Sequence, residues 1–186
     1  MNISEKELIK LCKQKKAKAQ KLLYDSYHRS LLGICLRYAK SYEEAEDLLQ
    51  SGMIRIFRTI NSYNDVGSFE GWMKRIITNL AIDNFRKNQK HYFHSNVDDL
   101  ENDPSVDCHF DSNLDAKKII EIIQNLPDGY RIVFNLFAIE GFSHKEIAGK
   151  LGITESTSKT QLRKARIKLQ TLLNELNQDT KPIANG

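Results

Sequence analysis

Breakers are scarce in this sequence: three prolines, Pro104, Pro127 and Pro182, stand in 186 residues, and strand-like alternation is hard to find. The apolar spacing therefore reads as helical nearly throughout, which predicts an all-α chain. Long hydrophobic runs are also missing. The longest, such as "LLGICL" at 31–36, are far too short to span a bilayer, and no basic segment leading into an apolar one opens the chain. No membrane insertion and a cytoplasmic location are expected. Cysteine is sparse, with Cys12, Cys35 and Cys108 widely spaced and odd in number. That argues against a disulfide framework, and it marks Cys35 as a core residue.

Catalytic and metal patterns are lacking too. There is no Gly-rich phosphate loop, nucleophile elbow or paired-carboxylate motif. Asp83 has no His or second acid at helical spacing to assist it as a base. His91, His94, Cys108 and His109 fit no compact zinc spacing. A non-enzyme with no cofactor and no metal is the expectation.

What the chain does contain is segregated charge. The stretch "SNVDDLENDPSVDCHFDSNLD" carries seven acidic residues, Asp98, Asp99, Glu101, Asp103, Asp107, Asp111 and Asp115, and no Lys or Arg. Such a stretch reads as a solvated, flexible linker. The whole chain is +4, so setting the linker aside leaves about +11 on its flanks. Two small helical domains are expected, at 1–90 and 116–177, joined by an acidic linker at 91–115 and followed by a flexible tail at 178–186.

In the first domain, "YEEAEDLLQSGMIRIFRTI" places Ala45, Leu48, Leu49, Met53, Ile56, Phe57 and Ile60 on one helical face. Asp47, Gln50, Ile54 and Arg58 form a second stripe. An Ile among polar residues suits a protein-docking surface, and equally a solvated face with one stray Ile. After the loop "NSYNDVGS", the helix in "FEGWMKRIITNLAIDNFRK" turns Phe69, Met73, Ile76, Ile77, Leu80 and Asn84 toward the core. Trp72, Arg75, Asn79, Asp83 and Arg86 share another stripe. Arg neutralises phosphate, Asn offers a paired donor and acceptor, and an aromatic ring can support an unstacked base, so the set suits a melted strand. Trp72 as a half-buried core anchor, beside a simple Asp83–Arg86 surface pair, fits the same spacing.

In the second domain, Ile119, Ile120, Ile123 and Leu126 line a helix. Pro127 starts the next, which carries Val133, Leu136 and Phe137 and ends at Gly141. Ser143 with Glu146 forms a capping box behind Phe142; Ile147, Ala148 and Leu151 face inward, and Gly152 suits a left-handed terminator. Thr154 can cap a second helix with Ser158, Leu162, Ala165 and Leu169 inward. Ser158 stands where such motifs usually bury Val or Ile. Glu155, Ser156, Lys159, Thr160, Arg163 and Lys164 face out, as a helix-turn-helix reading DNA requires. A plain helical hairpin with a solvated basic face remains compatible with these residues.

Taken together, "AEDLLQSGMIRIF", "FEGWMKRIITNLAIDNFRK" and "LPDGYRIVFNLFAIEGFSHKEIAGKLGITESTSKTQLRKAR" resemble the extracytoplasmic-function group of bacterial RNA polymerase sigma factors. The resemblance implies a factor that directs the polymerase core enzyme to promoter DNA and helps open the minus-ten element. It assigns Asp47, Leu48, Gln50, Ile54 and Arg58 to polymerase binding. Ser62, Tyr63, Asn64, Phe69, Trp72, Arg75, Asn79 and Arg86 fall to the minus-ten element, with Asn79 accepting a flipped-out base. Ser156, Lys159, Thr160, Gln161, Arg163 and Lys164 fall to the minus-thirty-five element. An anti-sigma factor is a further implied partner, and the acidic segment would thread toward the RNA exit path. A stand-alone helix-turn-helix repressor or activator is the alternative reading.

Overall fold

The computed structural model describes residues 3–92 and 116–179, all helices and short connections with no strand among the described residues. The acidic stretch, the His91, His94, Cys108 and His109 set and the tail after 179 lie outside the described residues or their described side chains. The chain divides into two compact units, one ending at Asp83 and the other beginning at Asn84. Among the described residues no helix is long and apolar enough to cross a membrane.

The first unit is built from α1 (Glu5–Lys13), α2 (Ala17–Tyr38), α3 (Tyr42–Thr59) and the first part of α4 (Phe69–Tyr92). Ser4 and Ser41 accept from the Glu7 and Glu44 amides at the starts of α1 and α3, satisfying donors that have no partner within the helix. The core follows the period-3.6 stripes. Ala45, Leu48, Leu49, Met53, Ile56 and Ile60 from the α3 pattern are all buried, with Phe57 partly so. Leu23, Leu31 and Cys35 of α2 and Leu8, Ile9 and Cys12 of α1 pack with them. Burial pushes the Cys35 thiol up to about 12, which makes it an inert packing group.

Gly52 explains how closely α3 and α4 approach. A Cβ built there would lie 2.0 Å from Cδ1 of Ile77, so the bare backbone leaves room for that isoleucine. On α4, Phe69, Met73 and Ile77 are buried as the spacing predicts, while Asn84, expected inward, is exposed. Ala81 and Ile82 are buried instead. The inward stripe advances around the helix because 3.6 residues per turn does not keep an i, i+4, i+7 series in line indefinitely.

The second unit holds α5 (Ala116–Gln124), α6 (Asp128–Phe134), α7 (His144–Leu151) and α8 (Glu155–Asp179). Pro127 precedes α6 as its N-cap. The helix does not run regularly to Gly141: it widens into a π-helical turn over Asn135–Ile139 before Gly141 at φ 77° reverses the chain. Arg131 is a buried cation, 4% exposed, that the apolar pattern does not signal. Its Nη1 donates to the Leu126 carbonyl at 2.7 Å and the Gln124 carbonyl at 3.1 Å, and Nη2 pairs with Asp128. One guanidinium thus gathers the α5–α6 corner, where helix ends leave carbonyls unpaired.

Candidate nucleic-acid interface

The turn between α7 and α8 forms as its residues dictate. The Ser143 hydroxyl accepts from the Glu146 amide at 3.3 Å while the Glu146 carboxylate accepts from the Ser143 amide at 2.8 Å. The Ser143 hydroxyl also donates to that carboxylate at 2.7 Å, and this bond first, then the one from the Ser143 amide, holds the Glu146 carboxyl below the usual range. Gly152 ends α7 in the left-handed region at φ 69°, and its amide donates to the Ala148 carbonyl at 2.9 Å. Thr154 then caps α8, its hydroxyl accepting from the Thr157 amide at 3.0 Å.

Ile147, Ala148 and Leu151 of α7 and Leu162, Ala165 and Leu169 of α8 are buried. Ser158 is buried among them at 0% exposure, with its hydroxyl 2.9 Å from Nδ1 of His144. The polar residue at the core position therefore has a partner on the facing helix. His144 in turn stacks on Phe137 at 4.5 Å between ring centroids. Burial, then the Lys159 charge, with Arg166 adding and Glu155 opposing, holds the His144 imidazole below its ordinary value and favours the neutral ring. His144 went unnoticed in the sequence; the available signal was an imidazole one residue past the cap, facing a serine where an aliphatic residue is usual.

With α8 seated this way, Glu155, Ser156, Lys159 and Thr160 are exposed, and Arg163 and Lys164 are half-buried along the same helix. Gln161 is placed differently from its neighbours. Its amide lies against the start of α6, where a Cβ on Gly129 would sit 3.0 Å from Oε1. It is half-buried against α6 and does not share the exposed basic face.

In the first unit, Asp47, Gln50, Ile54 and Arg58 are all exposed on α3, Ile54 at 52%. Leu48 is 7% exposed and belongs to the core, so it supports that surface from beneath. A cleft of about 420 Å³ lies at the end of this stripe, lined by Ile54, Phe57 and Arg58 with Lys13 and Lys15.

On α4, Arg75, Asn79 and Arg86 are exposed and Trp72 is half-buried. Asp83 pairs across to Arg55 of α3 at 3.4 Å, not to Arg86. Ser62 and Asn64 are exposed in the preceding loop, whereas Tyr63 and Phe69 are 5% and 1% exposed. These two rings pack 5.0 Å apart with Trp72 stacked on Phe69 at 5.6 Å, so they shape the loop from inside and present no face to a strand. On α4 the groups left outward are the guanidiniums of Arg75 and Arg86 and the Asn79 amide, beside the half-buried Trp72.

Two sequence-family models match this chain: Sigma-70 region 2 over residues 23–91 and Sigma-70, region 4 over residues 116–169. The acidic stretch falls between them. Among curated relatives, the ECF RNA polymerase sigma factor SigW of Bacillus subtilis is 30% identical over 192 residues, covering 95% of this chain and 100% of that protein. SigE of Mycolicibacterium smegmatis, also an ECF RNA polymerase sigma factor, is 31% identical over 152 residues. That alignment takes in 79% of this chain but only 58% of SigE. A solved structure of the sigma factor RpoE with the anti-sigma factor NepR from Bartonella quintana aligns with 83% of this chain and 96% of that one, at 23% identity and a TM-score of 0.48.

Proposed function

The chain belongs to the extracytoplasmic-function RNA polymerase sigma factors, and we propose on that premise that it directs the core enzyme to promoters by two separate DNA contacts. In this reading α4 and its preceding loop engage the melted minus-ten element. The exposed face of α8 enters the major groove at the minus-thirty-five element. Asp47, Gln50, Ile54 and Arg58 dock the first unit on the polymerase, with Leu48 holding that surface from the core. An anti-sigma factor would act by covering one of these surfaces. The chain itself carries out no chemistry; it supplies position, and the action takes place in the cytoplasm with the polymerase.

The observation that carries the reading is the exposed pair Arg75 and Asn79, one helical turn apart on α4 above a half-buried Trp72. A cation for phosphate and an amide for a base edge at that spacing suit an unpaired strand. The capped, glycine-terminated turn before α8 and the exposed Lys159 and Thr160 support the second contact.

The test is run-off transcription with core polymerase on the DNA upstream of the protein's own gene. Arg163→Ala is expected to weaken recognition of the upstream element by about 1–3 kcal/mol. Asn79→Ala is expected to relax base preference at the melted element and to leave upstream recognition alone. Equal losses on every promoter from both changes would contradict the assignments. No specific transcript, together with tight dimeric binding to duplex alone, would favour a stand-alone helix-turn-helix regulator.

A further inference from the structure

The loop between the 3₁₀ turn at Ile60–Ser62 and the start of α4 is exposed at every position except Tyr63. Its tip, Asn64, Asp65 and Val66, reaches farthest into solvent at Val66, 77% exposed. The backbone there holds an uncommon shape. Asp65 at φ 60° lies in the left-handed region that side-chain-bearing residues adopt infrequently, while Gly67 at φ 76° enters it without steric cost. An isolated loop of this composition would sample other shapes.

The enforcement comes from Tyr63 and from a residue fifty positions earlier. The Tyr63 hydroxyl donates to the Gly67 carbonyl at 2.9 Å, closing the loop across its base. Its ring is wedged against Phe69 at 5.0 Å and Trp72 at 5.6 Å. Its backbone carbonyl accepts from Nζ of Lys13, at the end of α1, at 2.8 Å. At the loop's two ends, the Ser62 hydroxyl donates to the Thr59 carbonyl at 2.7 Å and the Ser68 hydroxyl accepts from the Gly71 amide at 3.1 Å.

We propose that Lys13 and Tyr63 are positioning residues for minus-ten recognition: from outside the contact surface they hold the loop tip in the shape that receives the unstacked strand. The inference rests on the reading of this loop as part of the minus-ten interface. A loop already in its bound shape loses less conformational freedom on capture, so the brace acts on discrimination between strands. It has no part in polymerase docking or upstream duplex binding. Lys13 is thereby a specificity residue on a helix that touches no DNA in this reading.

The experiment uses holoenzyme assembled from the full chain and core polymerase, on promoters differing only by single bases in the minus-ten element. Lys13→Met and Tyr63→Phe are each expected to lower the transcription ratio of preferred to substituted element by roughly fivefold, the size of one lost hydrogen bond. In Tyr63→Phe, affinity for core polymerase and the response to minus-thirty-five substitutions should stay at the parent level, and Lys13→Arg should restore most of the ratio lost in Lys13→Met. Unchanged ratios in both variants overturn the proposal. So does a fall in all three readouts together in step with a lowered melting temperature, because that is what a merely structural role produces. The double change Asn64→Ala with Val66→Ala separates the two levels. If it abolishes discrimination while Lys13→Met and Tyr63→Phe retain it, the brace alone is refuted; if it too changes nothing, the reading of the loop falls with the brace.

Discussion

Ser158 gives a quantitative test of how α8 is seated. Its side chain is fully buried and its hydroxyl lies 2.9 Å from the His144 ring nitrogen. A hydrogen bond between neutral groups contributes about 0.5–1.5 kcal/mol net, and leaving one buried partner unpaired costs about 1–3 kcal/mol. Ser158→Ala should therefore lower the unfolding free energy by about 1–2 kcal/mol. His144→Phe keeps the stack on Phe137 but leaves the hydroxyl buried without its partner, for a loss of about 1–3 kcal/mol. The double variant removes both ends of the bond, so its loss should fall short of the sum by about 0.5–1.5 kcal/mol. Ser158→Val gains about 0.8 kcal/mol per added carbon but must widen a fully buried site, at about 1–3 kcal/mol. With the hydrogen bond also lost, it should be less stable than the parent. The assay is urea unfolding of the full chain. Trp72, the single tryptophan, lies in the first unit, so its fluorescence isolates that transition while helical circular dichroism follows both. A coupling energy below about 0.3 kcal/mol would refute the argument, because unconnected sites already depart from additivity by that much.

Two further outcomes follow from the second unit. Arg131→Met takes a guanidinium from the Leu126 and Gln124 carbonyls and from Asp128, and breaking such a buried pair should cost about 3–5 kcal/mol, visible as early loss of the second transition. Because the folded-state pKa of Glu146 is depressed, the capping-box contribution is complete above the unfolded glutamate value of about 4.3 and is lost as pH falls through the lower folded value. Acid unfolding of the second unit followed by circular dichroism should show this, and Glu146→Gln should flatten that limb of the curve; an identical limb in the variant would place the acid sensitivity elsewhere.

Much of the fold was legible because its signals are local. The capping box at Ser143 and Glu146, the left-handed terminator at Gly152 and the buried set Ile147, Leu151, Leu162, Ala165 and Leu169 each depend on residues within a few turns of one another. The outward stripes on α3 and α4 were legible for the same reason, since the faces left over from a buried stripe are set by periodicity. Where the reading departed from the structure, the deciding partner was remote in sequence. The resemblance assigns Tyr63 and Phe69 to the minus-ten element, yet both are buried: Tyr27, forty-two residues before Phe69, packs edge-on against it, and Tyr63 packs on Phe69 and Trp72. The resemblance assigns Gln161 to the minus-thirty-five element, but its amide lies against Gly129, thirty-two residues earlier.

The sequence by itself determined that the chain is helical, that its basic flanks are parted by seven acidic residues, and that a capped turn precedes a basic helix. Periodicity, capping chemistry and charge count need no knowledge of what packs where. Only the tertiary structure decided which polar groups are partners across that packing. Ser158 finds His144, and Lys13 finds the Tyr63 carbonyl across fifty residues. A buried polar group must be satisfied by whatever the fold brings within about 3 Å, and that neighbour is a property of how the helices pack rather than of the spacing within any one of them.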